Sequence, residues 1–122
     1  MGLKHSTSKS FSFAFQGIKT AFKNEPNLRI HTLITIVVLT IAYFFGFSAF
    51  EWLLLAFTIF FVITLELLNT VLEAIVNLVS PEVQPHAKIA KDVSAAMVLV
   101  AATMSVIVGL ILFIPKILLL IN

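Results

Sequence analysis

Two carboxylates and an amide stand inside an otherwise apolar run, Glu66-Leu67-Leu68-Asn69-Thr70-Val71-Leu72-Glu73. An ionisable side chain at membrane depth costs about 2.5 to 3.5 kcal/mol on insertion scales, so two in one segment point to a role that offsets the cost. At about 100° per residue on a helix, Asn69 falls about 60° to one side of Glu66 and Glu73 about 20° to the same side; Thr70 and Asn77 lie within about 40° on the other. The run therefore reads as a helix with one polar stripe and apolar surface elsewhere. Such a stripe can act as glue between helices, but glue is usually built from Ser, Thr, Asn or Gln rather than from two carboxylates. The chemistry that suits it is proton abstraction and hard-cation binding. Carboxylates from separate segments at a wet membrane edge can hold Mg²⁺, which takes one or two of them together with substrate phosphates. Glu25 and Glu73 are then the candidate metal ligands. Glu66, about two turns deeper than Glu73, is placed to take a proton from an alcohol at the lipid boundary. Lysines at the same level would bind the phosphates.

The elements that carry these groups follow from composition. The chain has 122 residues, of which 60% are hydrophobic and 11% charged, with a mean hydropathy of +1.09; a soluble domain is about 45 to 50% apolar. It reads as an all-α integral membrane protein with room for three spans of about 20 residues, hence one domain over residues 1–122. The absence of cysteine excludes disulfides and Cys-ligated zinc or iron–sulfur sites. A net charge of +2 gives no case for nucleic acid. The polar first ten residues do not read as a cleavable signal peptide, so targeting is expected to come from the spans.

Residues 10–23 place Phe11, Phe15, Ile18 and Phe22 on one face and Ser12, Gln16, Lys19 and Lys23 beside it. This predicts an amphipathic helix, lying in the headgroup layer or packed on the chain's own bundle. Asn24, Glu25, Pro26 and Asn27 end it and put Glu25 at a helix junction. Spans are expected at residues 28–45, 50–79 and 93–114, with a short turn at 46–49 and a polar loop at 80–92. His31, near the polar end of the first span, is expected to cap or snorkel, since no second histidine stands at ligand spacing. In the third span Ala95, Ala102 and Gly109, with Ser94, Ala101 and Ser105 beside them, permit close helix contact. Lys4, Lys9, Lys19, Lys23 and Arg29 precede the first span and Lys88 and Lys91 precede the third, while Lys116 stands alone at the other side. By the positive-inside rule the N-terminus and the second loop are cytoplasmic. Glu66, Glu73, Glu25, Lys91 and Asp92 then share one interface.

The chain has no G-x-x-x-x-G-K-S/T loop, no G-x-G-x-x-G and no H-E-x-x-H. Its fragments do resemble a known membrane family. Glu66-x-x-Asn69-Thr70-x-x-Glu73-Ala74, Ser80-Pro81-Glu82, Ala87-Lys88-Ile89-Ala90-Lys91-Asp92, Gly17-Ile18-Lys19-Thr20-Ala21-Phe22 and Asn24-Glu25-x-Asn27-Leu28-Arg29-Ile30-His31 together look like the prokaryotic diacylglycerol kinase family. Their details are closer to its Gram-positive undecaprenol kinase branch. The resemblance implies a cell-membrane homotrimer of three-span protomers, each with an N-terminal surface helix, that transfers the γ-phosphate of Mg-ATP to a lipid alcohol, undecaprenol or diacylglycerol. It implies Glu66 as proton acceptor, Asn69 as the group orienting it and the lipid hydroxyl, and Glu25 with Glu73 on Mg²⁺. It further implies Lys91 and Asp92 on ATP, with Phe13, Glu82, Val83 and Gln84 lining the nucleotide site. Phe13 stands where the family often has tyrosine, so a hydroxyl contact is lost. Asn77 stands where aspartate is usual, which puts a second metal in doubt. A rival phosphotransferase chemistry needs several aspartates, and Asp92 is the only one. A channel would need polar residues through the full membrane depth, whereas here they stop at Glu66.

Overall fold

The computed structural model describes residues 6–122, so Lys4 lies outside the described residues. Four helices follow one another: α1 Thr7–Asn24, α2 Pro26–Phe44, α3 Ala49–Val79 and α4 Pro85–Ile121. The last three are long and apolar enough to cross a membrane. The molecule is a multi-pass, all-α membrane protein.

The α1–α2 junction is one residue long. Pro26 disfavours helical geometry at the residue before it and is welcome at the first helical position; Glu25 is accordingly extended, with φ −105° and ψ 106°. Its N–H donates to Ala21 O at 2.8 Å. The Arg29 guanidinium reaches back from α2 to Lys23 O at 2.8 Å and Phe22 O at 3.5 Å, satisfying carbonyls that the end of α1 leaves open and opposing the negative end of its dipole. The angle between the two helices, and with it the station of Glu25, is thereby fixed. Of the described part of α1 only Ala21 is buried. Phe11, Phe15, Ile18 and Phe22 are all exposed, so the Phe-rich face does not pack on the chain's own bundle and is free for the headgroup layer.

At the opposite end α2 turns into α3 through Gly46, whose φ of 63° is a left-handed conformation that glycine adopts without a Cβ clash. Ser48 then caps α3. Glu51 N donates to Ser48 Oγ at 3.3 Å, and Ser48 N donates to Glu51 Oε2 at 2.7 Å, satisfying two orphan donors reciprocally. Glu51 also pairs with Lys116 at 3.1 Å, and the same ammonium lies 5.6 Å from the centre of the Phe47 ring. Phe47 meets Phe113 in a tilted contact and Trp52 edge-to-face at centroid distances of 4.9 and 5.8 Å, over a core of Ala42, Leu55 and Leu112. Ser48→Ala should cost about 1 kcal/mol, seen as a lower thermal midpoint in detergent with turnover unaffected. An unchanged midpoint would show that the cap is dispensable.

α3 and α4 form the main contact. Leu55, Val62, Glu66 and Asn69 are buried on α3, and Ser94, Val98, Ala101 and Leu112 on α4. The steps are three, four, seven or eleven residues, the spacings that keep one face of a helix against a neighbour. Of the two adjoining lines of small residues, the seam runs through Ser94 and Ala101; Ala95 is exposed, and Ala102 and Gly109 are half-buried.

The structure corrects two helix boundaries. Residues 85–92, expected as loop, are the first turns of α4, and Pro115, expected as the end of the span, lies inside it. Pro85 occupies the first helical position, where a missing N–H costs nothing. Pro115 does forfeit one helical hydrogen bond, yet Phe113 and Lys116 on either side of it are held against Phe47 and Glu51, so packing carries the helix past it. At 1.5 Å per residue α3 and α4 run to roughly 46 and 55 Å, well beyond a hydrocarbon core of about 30 Å.

Candidate active site

Glu66, the deepest polar residue of the α3 stripe, is 2% exposed and Asn69 is 8% exposed. Burial then relaxes toward the helix end: Thr70 and Glu73 are half-buried and Asn77 is exposed. The sequence-read stripe therefore runs from the protein interior out to the polar edge.

Two contacts tie this stripe to the neighbouring helices. From α4, Ser94 Oγ donates to Asn69 Oδ1, while Asn69 Nδ2 donates to Glu73 Oε1 at 3.3 Å. A carboxylate can only accept, so the amide must turn its NH₂ to Glu73 and its oxygen to the serine. The hydrogen bond that Asn69 makes to a carboxylate in this structure goes to Glu73. From α2, His31 Nε2 lies 3.2 Å from Glu66 Oε1. The contact has the distance of an ion pair but not the geometry of a hydrogen bond, and Glu66 Oε1 is left buried without a hydrogen-bond partner. His31 therefore neither caps its helix nor snorkels, as expected from the sequence; it faces the buried glutamate. Thr70 Oγ1 donates to Glu66 O at 3.1 Å, which ties it to its own helix. Glu25 and Glu73 both stand within electrostatic range of Glu66.

Two concavities flank this polar cluster. On the membrane side an apolar groove of about 350 Å³ runs between α2, α3 and α4, with His31 in its wall. On the other side a pocket of about 200 Å³ is formed by the α3–α4 connection and the first turns of α4, and Glu82, Val83, Gln84, Lys91, Asp92 and Asn77 line it together. Ser80 Oγ donates to Glu82 O at 3.1 Å, bracing the connection. Asp92 is engaged by Lys88 one turn earlier, an exposed pair. Lys91 is half-buried. Gln84, the residue that opens α4, makes no side-chain cap, so the first N–H groups of a long helix face this pocket's edge and favour an anion there. Phe13, 52% exposed on α1, is not part of that lining.

The donor set fits a hard cation used together with a substrate. Among the described residues no three His, Asp or Glu side chains gather to hold an ion by themselves. Mg²⁺ does not require that, since one or two carboxylates plus phosphate oxygens and water suffice. Glu73, with Oε1 fixed by Asn69 and Oε2 unused by any hydrogen bond, has the form of such a ligand.

Residues 12–113 match the prokaryotic diacylglycerol kinase family. The chain belongs to that family. Among relatives of this family member, a diacylglycerol kinase of Synechocystis is 44% identical over 110 residues, covering 89% of the chain and 63% of the relative, so the chain spans less than two-thirds of that relative's length. An undecaprenol kinase of Bacillus subtilis is 38% identical over 108 residues, covering 88% of each. A diacylglycerol kinase of Haemophilus influenzae is 32% identical over 100 residues, covering 82% of the chain and 84% of the relative. In this prokaryotic diacylglycerol kinase family member, sequence reasoning placed the glutamates on one stripe but missed the groups that contact it. Ser94 was legible only as a small residue, Arg29 only as a basic one, and His31 carried no spacing signal toward Glu66.

Proposed function

We propose that this family member is an ATP-dependent lipid kinase whose preferred acceptor is a long polyprenyl alcohol such as undecaprenol. The observation that carries the proposal is that one buried carboxylate, Glu66, stands on α3 one turn past an apolar groove, on a polar stripe that leads through Asn69 and Glu73 to Asn77 in the wall of a polar pocket. A hydroxyl on a lipid and a phosphate on a nucleotide need to meet at such a boundary. Glu66 takes the hydroxyl proton, the oxygen attacks the γ-phosphorus, and the bond to the β-phosphate oxygen breaks. Glu25 and Glu73 hold Mg²⁺, which when bound neutralises phosphate charge. Lys91, Asp92, Glu82, Val83 and Gln84 bind ATP, with Phe13 supplied from α1. Asn69 binds the substrate side of the site and keeps Glu73 turned to the metal.

The acceptor preference is supported by the chemistry of the groove. Thr35, Thr58 and Ser105 line it with His31; Thr58 Oγ1 donates to Leu54 O and Ser105 Oγ to Ala102 O, so two of these three hydroxyls donate within their own helix. Few polar groups remain to recognise a glycerol backbone and its esters, whereas an isoprenoid needs none. Three copies of the chain are expected to pack as a homotrimer, supported by the long apolar faces that α2, α3 and α4 leave exposed. The N-terminus and the α3–α4 connection are placed in the cytoplasm, on the side of most cations and of ATP.

The name of the Synechocystis relative favours diacylglycerol as the second reading. ATP consumption by purified protein, with undecaprenol and with diacylglycerol in identical mixed micelles, separates the two. Apolar chains differ by only about 1 to 3 kcal/mol per small feature, so weak activity on diacylglycerol is expected beside a higher kcat/KM for undecaprenol. A clear preference for diacylglycerol would overturn the assignment, and no consumption with either would overturn the kinase.

A further inference from the structure

We infer that His31 is a positioning residue for catalysis: its imidazole fixes the Glu66 carboxylate so that one oxygen is held inside the protein and the other faces the lipid hydroxyl. The inference rests on Glu66 being the base. Glu66 Oε1 is the sealed oxygen, buried and accepting no well-formed hydrogen bond, and His31 Nε2 is 3.2 Å from it. A carboxylate taken out of water needs a donor, and a nitrogen already at that separation completes the bond by a small turn of the ring. The ring is itself restrained. His31 lies two residues after Arg29, whose guanidinium ties α2 to α1, and one turn before Thr35; His31, Thr32 and Thr35 are half-buried.

Position supplies the rest. His31 is the one residue with an ionisable side chain in the wall of the apolar groove, where it stands with Val62 and Ile63, one turn of α3 before Glu66. It thus touches the base from the side on which a lipid would lie. Asn69 makes no hydrogen bond to Glu66; its amide donates to Glu73 and accepts from Ser94. With Oε1 held by His31, Oε2 is the oxygen left to take the proton. The imidazole stays a hydrogen-bond donor throughout, and the proton from the alcohol ends on Glu66.

The test uses the full chain in mixed micelles and two substitutions. His31→Leu removes the donor and keeps the bulk; His31→Gln keeps an N–H close to where Nε2 stands. The expected result is a kcat lower by about 10- to 100-fold for His31→Leu, the scale of a group that orients rather than reacts. KM for lipid and for Mg-ATP should stay within about 3-fold, and His31→Gln should restore most of kcat. In a Glu66→Gln background His31→Leu should have no further effect. Normal kcat in His31→Leu, an equal loss in both variants, or additive losses with Glu66→Gln would each overturn the proposal. If His31→Leu does not fold, the expected result passes to His31→Gln, which must turn over near the unsubstituted rate. An active Glu66→Gln protein would instead overturn the base assignment itself, so the two failures are distinct.

Discussion

Glu66→Gln should lower turnover by about 10²-fold or more, the scale typical of a lost general base. The substitution keeps the shape of the side chain and an acceptor oxygen toward His31, so helix packing and Mg-ATP affinity should stay near normal. What it removes is the ability to take a proton. The expected pattern is therefore a fall in kcat with little change in KM for either substrate, because the missing interaction is made only as the lipid hydroxyl reacts. Steady-state phosphorylation of undecaprenol, beside calorimetric Mg-ATP binding, checks both halves. Near-full turnover in this variant would take the role of base away from Glu66.

Glu73→Ala should abolish Mg²⁺-dependent nucleotide binding. Glu73 is half-buried at the outer end of the α3 stripe, and its Oε1 is pinned by Asn69 Nδ2, which in turn is braced by Ser94 across the α3–α4 seam. A ligand restrained in this way gives its full charge to the metal without a further ordering cost. Truncation removes the carboxylate and frees the Asn69 amide, so little compensation is available. Glu25→Ala should act in the same direction, since Glu25, at the α1–α2 junction, is the second carboxylate proposed for the metal. Calorimetric titration with ATP, with and without Mg²⁺, reads the effect directly. Unchanged Mg-ATP affinity in both alanine variants would remove both residues from the metal site.

The sequence by itself determined the class of this protein and which polar residues share one stripe of α3. An apolar fraction of 60% in 122 residues is too high for a soluble domain and points to membrane spans, and the 3.6-residue period placed Glu66, Asn69, Thr70, Glu73 and Asn77 on one stripe, because side-chain direction on a helix is a local property. Pro26 was enough to make Glu25 a junction, for the same reason: a proline acts on its immediate neighbour. Helix ends were less legible wherever the deciding force was not local. Pro115 reads as a stop, and only the contacts of Phe113 and Lys116 with Phe47 and Glu51 keep the helix going past it.

Partnerships were decided by the tertiary structure alone. Asn69 lies three residues from Glu66 and four from Glu73, so both are within helical reach, and it is Ser94, twenty-five residues away on α4, that claims Oδ1 and turns the amide to Glu73. His31 and Glu66 meet because α2 and α3 cross at that height, and no pattern in either helix announces it. Periodicity tells which residues share a face of one helix. Which atom on the next helix fills the space opposite depends on how the helices pack together, and that is a property of the whole bundle.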